Sequence, residues 1–277
     1  MDFNKNLKIC VIGCGSIGTE IASAVCSGRV SNMSVRAIFD INNTRSRKLR
    51  SVLNDDVIIP GSITEIIYDK QIDLVVECVS PSFVSNNALE ILQSGISMLI
   101  LSSGALIDKN FYKKVNNACN LKDVQVYIPS GAVGGIDTIK AVKTLLKTVT
   151  VVTTKSPNAL LGAPGFKEYE NSIINEKLTI FEGSATEAVK LFPSNLNVSA
   201  TISIAGIGPE RTRVKVIADP NSSDNIHEIY ITSEAGDFMF KFQNKPHKAN
   251  KKTSYLAILA AIETLRSISE SKLLVGT

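Results

Sequence analysis

The sequence predicts an α/β protein: a doubly wound parallel sheet, followed by a second α+β unit on an open mixed or antiparallel sheet. Three observations predict it. Short apolar runs alternate with helix-like segments through the first 130 residues, which is the pattern of a parallel sheet covered on both faces. A glycine-rich turn joins the first apolar run to the first helical segment. Beyond Pro129 the runs lengthen and begin to alternate, as strands of a more open sheet do.

The elements follow in order. Lys8 to Ile12, apolar from Ile9 onward, reads as a buried strand. Ser16 to Cys26 repeats Ile17, Ile21, Ala24 and Val25 at helical spacing. Val35 to Phe39 is a second strand, Thr44 to Leu53 a polar helix, and Val57 to Ile59 a short strand. Ser62 is a capping residue for a helix to Tyr68. Asp73 to Val79 is a strand, and Pro81 to Gln93 a helix stopped by Gly95. Ser97 to Leu101 and Val124 to Ile128 are strands flanking a helix over Asp108 to Cys119. A turn over Ser130 to Gly135 leads into a helix ending near Val142. Strands are then expected at Thr148 to Thr154, Thr212 to Ala218, Ile226 to Thr232 and Phe238 to Phe242. Thr186 to Leu191 and Asn197 to Ala205 read as helices between them. Thr253 to Ile268 is an amphipathic helix, expected to pack back on the first domain.

Composition narrows the function classes. The chain has 277 residues, 44% hydrophobic and 20% charged, too apolar for a disordered chain. Its longest apolar run, Leu256 to Ile262, is seven residues, whereas a bilayer helix needs about 20. The first residues carry an acid and no apolar stretch, so no secretory signal is expected. Cys10, Cys14, Cys26, Cys78 and Cys119 are odd in number and form no C-x-x-C, which suits reduced thiols in the cytoplasm. Cys10, Cys26 and Cys78 lie in apolar stretches and are expected to act as small hydrophobes. The two histidines, His227 and His247, give no H-E-x-x-H, so no metal site is expected. A net charge of +4 does not imply nucleic acid.

Gly13-Cys14-Gly15-Ser16-Ile17-Gly18 is a complete G-x-G-x-x-G between strand and helix. Gly13 permits the tight turn, Gly15 lets backbone approach a pyrophosphate, and Gly18 lets helix and strand pack closely. Ser16 and Ile17 begin the helix, whose free N–H groups suit phosphate oxygens. Asp40 ends the second strand, where an acid would accept from adenosine ribose hydroxyls. This is the fingerprint of a Rossmann-type dinucleotide domain. Asp40 favours NAD, because a 2′-phosphate would meet its negative charge. NADP is disfavoured but stays open, because Arg45 and Arg47 follow closely, although they read more readily as a solvated helix face. The turns after the fourth and fifth strands, with Cys78, Ser80 and Ser102, should line the same crevice. Ordinary βα turns would read the same way.

Four stretches in the second half carry a resemblance. They are Pro129-Ser130-Gly131-Ala132-Val133-Gly134-Gly135-Ile136-Asp137, Phe181 to Val189 beginning F-E-G-S-A-T, and Asn195-Leu196-Asn197-Val198-Ser199-Ala200-Thr201. The fourth runs from Arg211-Thr212-Arg213-Val214 to Ala218-Asp219-Pro220, with Asn225-Ile226-His227-Glu228-Ile229. Together they resemble the L-aspartate dehydrogenase family, and the likeness spans nearly the whole chain. It implies NAD(P)-dependent oxidation of L-aspartate to iminoaspartate, which hydrolyses to oxaloacetate and ammonia or feeds NAD biosynthesis. It also implies His227 as the catalytic residue, cofactor contacts at Ala132 and Asn197, and a homodimer. The family's T-T-R-K-P run is here Thr153-Thr154-Lys155-Ser156-Pro157, one cation fewer.

The chemistry of the residues agrees with that implication. An imidazole titrates near neutrality and can serve both amine deprotonation and water activation. From the residues alone, His227 reads more readily as structural than as catalytic. His247, in Lys245-Pro246-His247-Lys248, reads as solvated. A dicarboxylic amino acid needs cations or N–H donors. Lys155, Arg211, Arg213 and the backbone at Gly131 are the candidates, although the two arginines read equally as surface charges. The basic segment Lys241 to Lys252 reads as a solvated connector rather than a polyanion site. The expected organisation is a dinucleotide-binding domain over 1–130, a catalytic and dimerisation domain over 131–252, and a terminal segment, 253–277, returning to the first. A dehydrogenase on another amino or hydroxy acid, or a dinucleotide sensor without turnover, remain the alternatives. No membrane partner is expected.

Overall fold

The structure, a computed structural model, describes residues 6–53, 56–193 and 196–269. Asn195 of the third quoted stretch and residues 270–277 of the expected terminal segment lie outside them. The chain divides into two compact units. One holds residues 1–105, 109–129 and 258–277, and the other 106–108 and 130–257.

The first unit is built on β1 (Leu7–Ile12), α1 (Ser16–Cys26), β2 (Met33–Phe39), α2 (Asn43–Leu53), α3 (Ile63–Tyr68), β3 (Leu74–Glu77), α4 (Pro81–Gln93), β4 (Ser97–Ile100), α5 (Lys109–Lys122) and β5 (Val126–Tyr127). Its five strands are ordered β2-β1-β3-β4-β5 and all pairs are parallel. The central strands carry short continuous apolar runs, Ile9 to Ile12, Leu74 to Val76 and Met98 to Ile100, because helices cover both faces of such a sheet. Ile9, Val11, Val76 and Leu99 pack with Ile21 and Val25 of α1. Each fully buried Val or Ile contributes about 1.5–3 kcal/mol. The order reverses at β1, so β1 and β3 flank the switch point where open α/β sheets bind ligands. Ile258, Ala261, Ile262 and Leu265 also belong to this core.

The second unit runs α6 (Ile136–Ala141), β6 (Leu146–Lys155), α7 (Pro157–Leu160), β7 (Leu178–Ser184), α8 (Ala185–Leu191), α9 (Asn197–Ala205), β8 (Arg213–Ala218), β9 (Asn225–Ser233), β10 (Gly236–Asn244), β11 (Pro246–His247) and β12 (Asn250–Ser254). The helix α10 (Tyr255–Ser269) follows. The main sheet is ordered β10-β9-β6-β8-β7. It is mixed, because β6 and β8 are parallel while the other pairs are antiparallel. One face is buried. Val149, Val151, Ile229 and Ile231 meet Ile139, Val198 and Ile202, and Val214, Val216 and Ala218 meet Ala188, Phe192 and Ala200.

Several local expectations are corrected. Val57 to Ile59 is not a strand; only Ile58 makes a single bridge, to Ala37. The strand β7 was not expected, since it is an edge strand with no clean alternation of buried and exposed residues. The segment before α10 is no open connector, because β11 and β12 pair within it. His247 is therefore buried rather than solvated. Its ring lies beside Tyr255 and its Nδ1 accepts from the Ala249 N–H at 3.3 Å. Cys26 is exposed rather than packed, since it is the last residue of α1 and falls off the buried stripe.

Candidate active site

The glycine turn starts where β1 ends. Gly13 has φ +98°, a conformation that side-chain-bearing residues rarely adopt. A Cβ there would also come within 2.5 Å of the Cys78 carbonyl oxygen. A Cβ on Gly18 would collide with the Gly13 carbonyl, so helix and strand meet backbone to backbone. Gly15 differs. It precedes α1 with an ordinary extended backbone, no side chain caps the helix there, and an added Cβ would meet nothing within 4 Å. The open space and the uncapped N–H groups at Ser16 and Ile17 fit a dinucleotide pyrophosphate.

Asp40 has a task beyond the one its position predicts. Its Oδ2 accepts from the Cys14 N–H at 2.9 Å and its Oδ1 from the Asn42 N–H at 2.8 Å. The carboxylate thus ties the glycine turn to the end of β2. Each oxygen keeps a further lone pair for a ribose hydroxyl. Arg45 and Arg47 are exposed on α2. Burial pushes the Cys14 thiol up to about 11, so it is no nucleophile at neutral pH.

The turns after β3 and β4 are organised by a residue that the sequence reading passed over. Glu77 ends β3, pairs in register with Ile12 of β1, and is fully buried. Its Oε1 accepts from the Val79 N–H (2.7 Å), the Ser80 N–H (2.9 Å) and the Ser102 hydroxyl (2.9 Å). Its Oε2 accepts from the Ser102 N–H (3.0 Å). Burial pushes its pKa up, against the pull of these bonds. The carboxylate holds both turns in place beneath the crevice. The hydroxyl of Ser102 is thereby committed to Glu77, while Ser80 caps α4 by accepting from the Phe83 N–H at 3.2 Å. Cys78 is half-buried, and burial raises its thiol pKa well above the usual range.

In the second unit the polar groups gather at one end of the buried sheet face. Successive residues of a strand face opposite ways, so Val149, Val151, Thr153 and Lys155 share a face. Thr153 stands opposite His227, and His227 opposite Phe242. His227 is 2% exposed and its Nδ1 lies 3.0 Å from the Thr153 hydroxyl. Burial first, then the nearby Lys155 cation, pushes its pKa down to about 3. Lys155 is itself buried, and its ammonium donates to the Lys252 carbonyl at 3.2 Å. Burial and the Lys252 cation bring it down to about 8. His227 is therefore neutral at physiological pH, while Lys155 is still largely charged.

The turn before α6 meets the same region. Asn244 donates from Nδ2 to the Ala132 carbonyl at 2.8 Å, so β10 holds the Gly131 to Gly135 turn. Asn197 is the first residue of α9, whose Val198 and Ile202 pack on this face. Arg211 is not brought here. It lies exposed before β8, whose Arg213 pairs with Thr150 while Val216 pairs with Thr153. At about 3.3 Å per residue, Arg213 stands roughly 10 Å along the strand from the His227 row, and Arg211 stands further. The sequence signal for Glu77 was an acid closing an apolar strand. Thr153 and Asn244 carried no signal, because only the register brings them to this site.

Known proteins are similar to this chain. A family profile described as "Homoserine dehydrogenase, NAD binding domain" matches residues 13–129. One described as "Aspartate dehydrogenase, C-terminal" matches residues 137–268. The L-aspartate dehydrogenase of Methanosarcina mazei is 43% identical over 95% of this chain and 97% of its own. That of Nitrosopumilus maritimus is 38% identical over 98% and 99%. A solved structure, the aspartate dehydrogenase of Thermotoga maritima, is 28% identical with a TM-score of 0.75, covering 98% of this chain and 99% of the other.

Proposed function

The chain belongs to the L-aspartate dehydrogenase family, and on that footing we propose that it oxidises L-aspartate with NAD through Lys155 and His227. One observation carries the assignment of roles. A neutral imidazole and a buried ammonium share one face at the end of the second unit's sheet, and Thr153 orients the imidazole.

Lys155 neutralises a substrate carboxylate. A buried ammonium is a strong partner for an anionic oxygen, because the surroundings screen it little. The backbone at Gly131 supports the same end of the substrate. The imidazole of His227 donates from Nδ1 to Thr153, which leaves the Nε2 lone pair free. A docked carboxylate offsets the Lys155 charge that helps to hold the imidazole pKa down, so His227 becomes more basic as substrate arrives. Nε2 then takes the proton of the substrate ammonium and leaves a neutral amine. NAD held at the glycine turn and Asp40 would supply the acceptor for the hydride of the amine-bearing carbon. Oxidation leaves iminoaspartate, a C=N compound. Nε2 first returns its proton to solvent, then accepts one from water as the oxygen adds to the C=N carbon, and hands it to the departing nitrogen, so that loss of ammonia gives oxaloacetate. Released before that hydrolysis, iminoaspartate feeds NAD biosynthesis.

On this reading Gly13, Gly15, Ser16, Ile17, Gly18 and Asp40 hold the dinucleotide, with Cys78, Ser80, Ser102, Ala132 and Asn197 as further contacts. Asp40 supports NAD over NADP. Two copies pair through the uncovered face of the second unit's sheet. Thr148, Tyr230 and Met239 stand exposed there, Met239 at 68%. A cytoplasmic setting suits the five free thiols. The test is a substrate panel read by nicotinamide absorbance. L-aspartate is expected to reduce NAD. No reduction with L-aspartate, alongside reduction with another amino or hydroxy acid, overturns the substrate.

A further inference from the structure

The residue two before His227 has no role in the account so far. Asn225 begins β9 and is 2% exposed, and its amide Nδ2 is buried with no hydrogen-bond partner. A buried donor left unsatisfied costs about 1–3 kcal/mol, so such an atom in a folded protein calls for an explanation.

The register says what surrounds it. Asn225 stands opposite Asn244 of β10, on the face that carries His227. The amide of Asn244 is spent on the Ala132 carbonyl. On the other side, Thr153 and Thr154 of β6 face His227 and Ile226. Lys155 and Asn225 are the next residues outward on those two strands, and both point to the His227 face. The unpartnered amide thus lies between the strand end bearing a buried ammonium and the side chain that holds the glycine turn.

An amide N–H is a donor, so its missing partner is an acceptor. The neighbouring ammonium selects among acceptors for an anionic oxygen. A substrate amine brings N–H groups, not an anion, and belongs beside the His227 lone pair instead. We propose that Asn225 is a specificity-determining residue, whose Nδ2 donates to the same substrate carboxylate that Lys155 neutralises. The proposal rests on the dicarboxylate reading above. It explains how a site with one buried cation on this face grips an anionic group with a fixed direction. The ammonium supplies charge, and the planar amide supplies orientation.

The experiment compares wild type, N225A and the isosteric N225D. Wild-type reduction of NAD by L-aspartate comes first, and its absence would strike the functional reading rather than Asn225. N225A is expected to raise the KM for L-aspartate about 10- to 100-fold. Its kcat should stay within about threefold, the signature of lost uniform binding. NADH affinity, read by fluorescence titration, should not change. N225D places a negative charge against the carboxylate and should raise KM further than N225A. Succinate, an unreactive dicarboxylate, serves as the second probe. It should raise the Tm of wild type and raise that of N225A far less, while the ligand-free Tm values stay close, because no bond is lost. An unchanged KM and succinate shift in N225A would overturn the proposal. So would an N225D effect milder than that of N225A, or a ligand-free Tm loss without loss of the succinate shift. N225D preserves the packing and keeps the test alive should N225A fail to fold.

Discussion

In the first unit the groups offered to a ligand are backbone N–H donors, placed by glycines at the end of β1 and the start of α1. In the second unit they are side chains, Lys155 on β6 and His227 on β9, brought together by the pairing of distant strands. The first arrangement needs residues to be absent, since a methyl group in the wrong place fills the space. The second needs residues to be present and correctly protonated. Binding built from backbone is local in sequence and insensitive to pH. Chemistry built from side chains across a sheet is neither.

Substitutions can break that contrast. The largest effect is expected from H227A. Loss of a positioned acid–base group lowers kcat by about 10²–10⁴-fold, while NAD affinity measured by calorimetry stays as it was. Weakened NAD binding in H227A would mean that the imidazole itself also carries the cofactor. Next come two glycine variants. G18A forces a methyl into the Gly13 carbonyl and should lower Tm sharply, along with NAD affinity. G15A has room and an unstrained backbone, so its Tm should hold while NAD affinity falls on the order of 10- to 100-fold, by filling space meant for phosphate. If G15A binds NAD normally, the open space at Gly15 is not the cradle.

The fourth variant, K155M, tests the pH dependence of the second region. Lys155 is pushed down to about 8 from its ordinary 10.5, so the cation is present below pH 8 and lost above it. The KM for L-aspartate should rise as pH passes upward through 8. K155M should begin about 10-fold or more higher at pH 7 and stay flat. Stability runs the other way. Between about 8 and 10.5 the unfolded chain binds more protons at Lys155 than the folded one, so stability rises with pH across that window. K155M should lose that rise. The smallest effect is expected from E77Q, which faces an amide toward donors that a carboxylate now accepts from. A loss of about 1–3 kcal/mol in denaturant unfolding, with a few-fold weaker NAD binding, would place Glu77 under the cofactor turns as a brace.

Legibility in the sequence followed the same division. The span of α1, Ser16–Cys26, and that of α4, Pro81–Gln93, were readable to the residue, because each has a local stop or start signal. The span of α9, Asn197–Ala205, was equally readable. The glycine turn and Asp40 stood out because their spacing lies within one β-α-β unit. His227 stood out only by its scarcity and its surroundings in N-x-H-E-I. Nothing in the sequence told that Thr153 would orient it, or that burial would leave it uncharged, since both depend on the pairing of β6 with β9. Arg211 looked as eligible as Lys155 until the register of β8 separated them. His247 and the pair β11–β12 were hidden by a lysine-rich segment whose charges mask two short strands.

The core of the first unit contains Ile258, Ala261, Ile262 and Leu265, although the chain leaves that unit at Pro129 and returns only at Ile258. On the ribosome this sets an order. The whole second unit emerges before the helix that completes the first hydrophobic core is made. The dinucleotide half therefore waits, incomplete, through the synthesis of everything between, and a chain cut before Ile258 would carry an intact polar row beside an unfinished cofactor domain. Translation, by this connectivity, begins with the first unit yet completes the second before it.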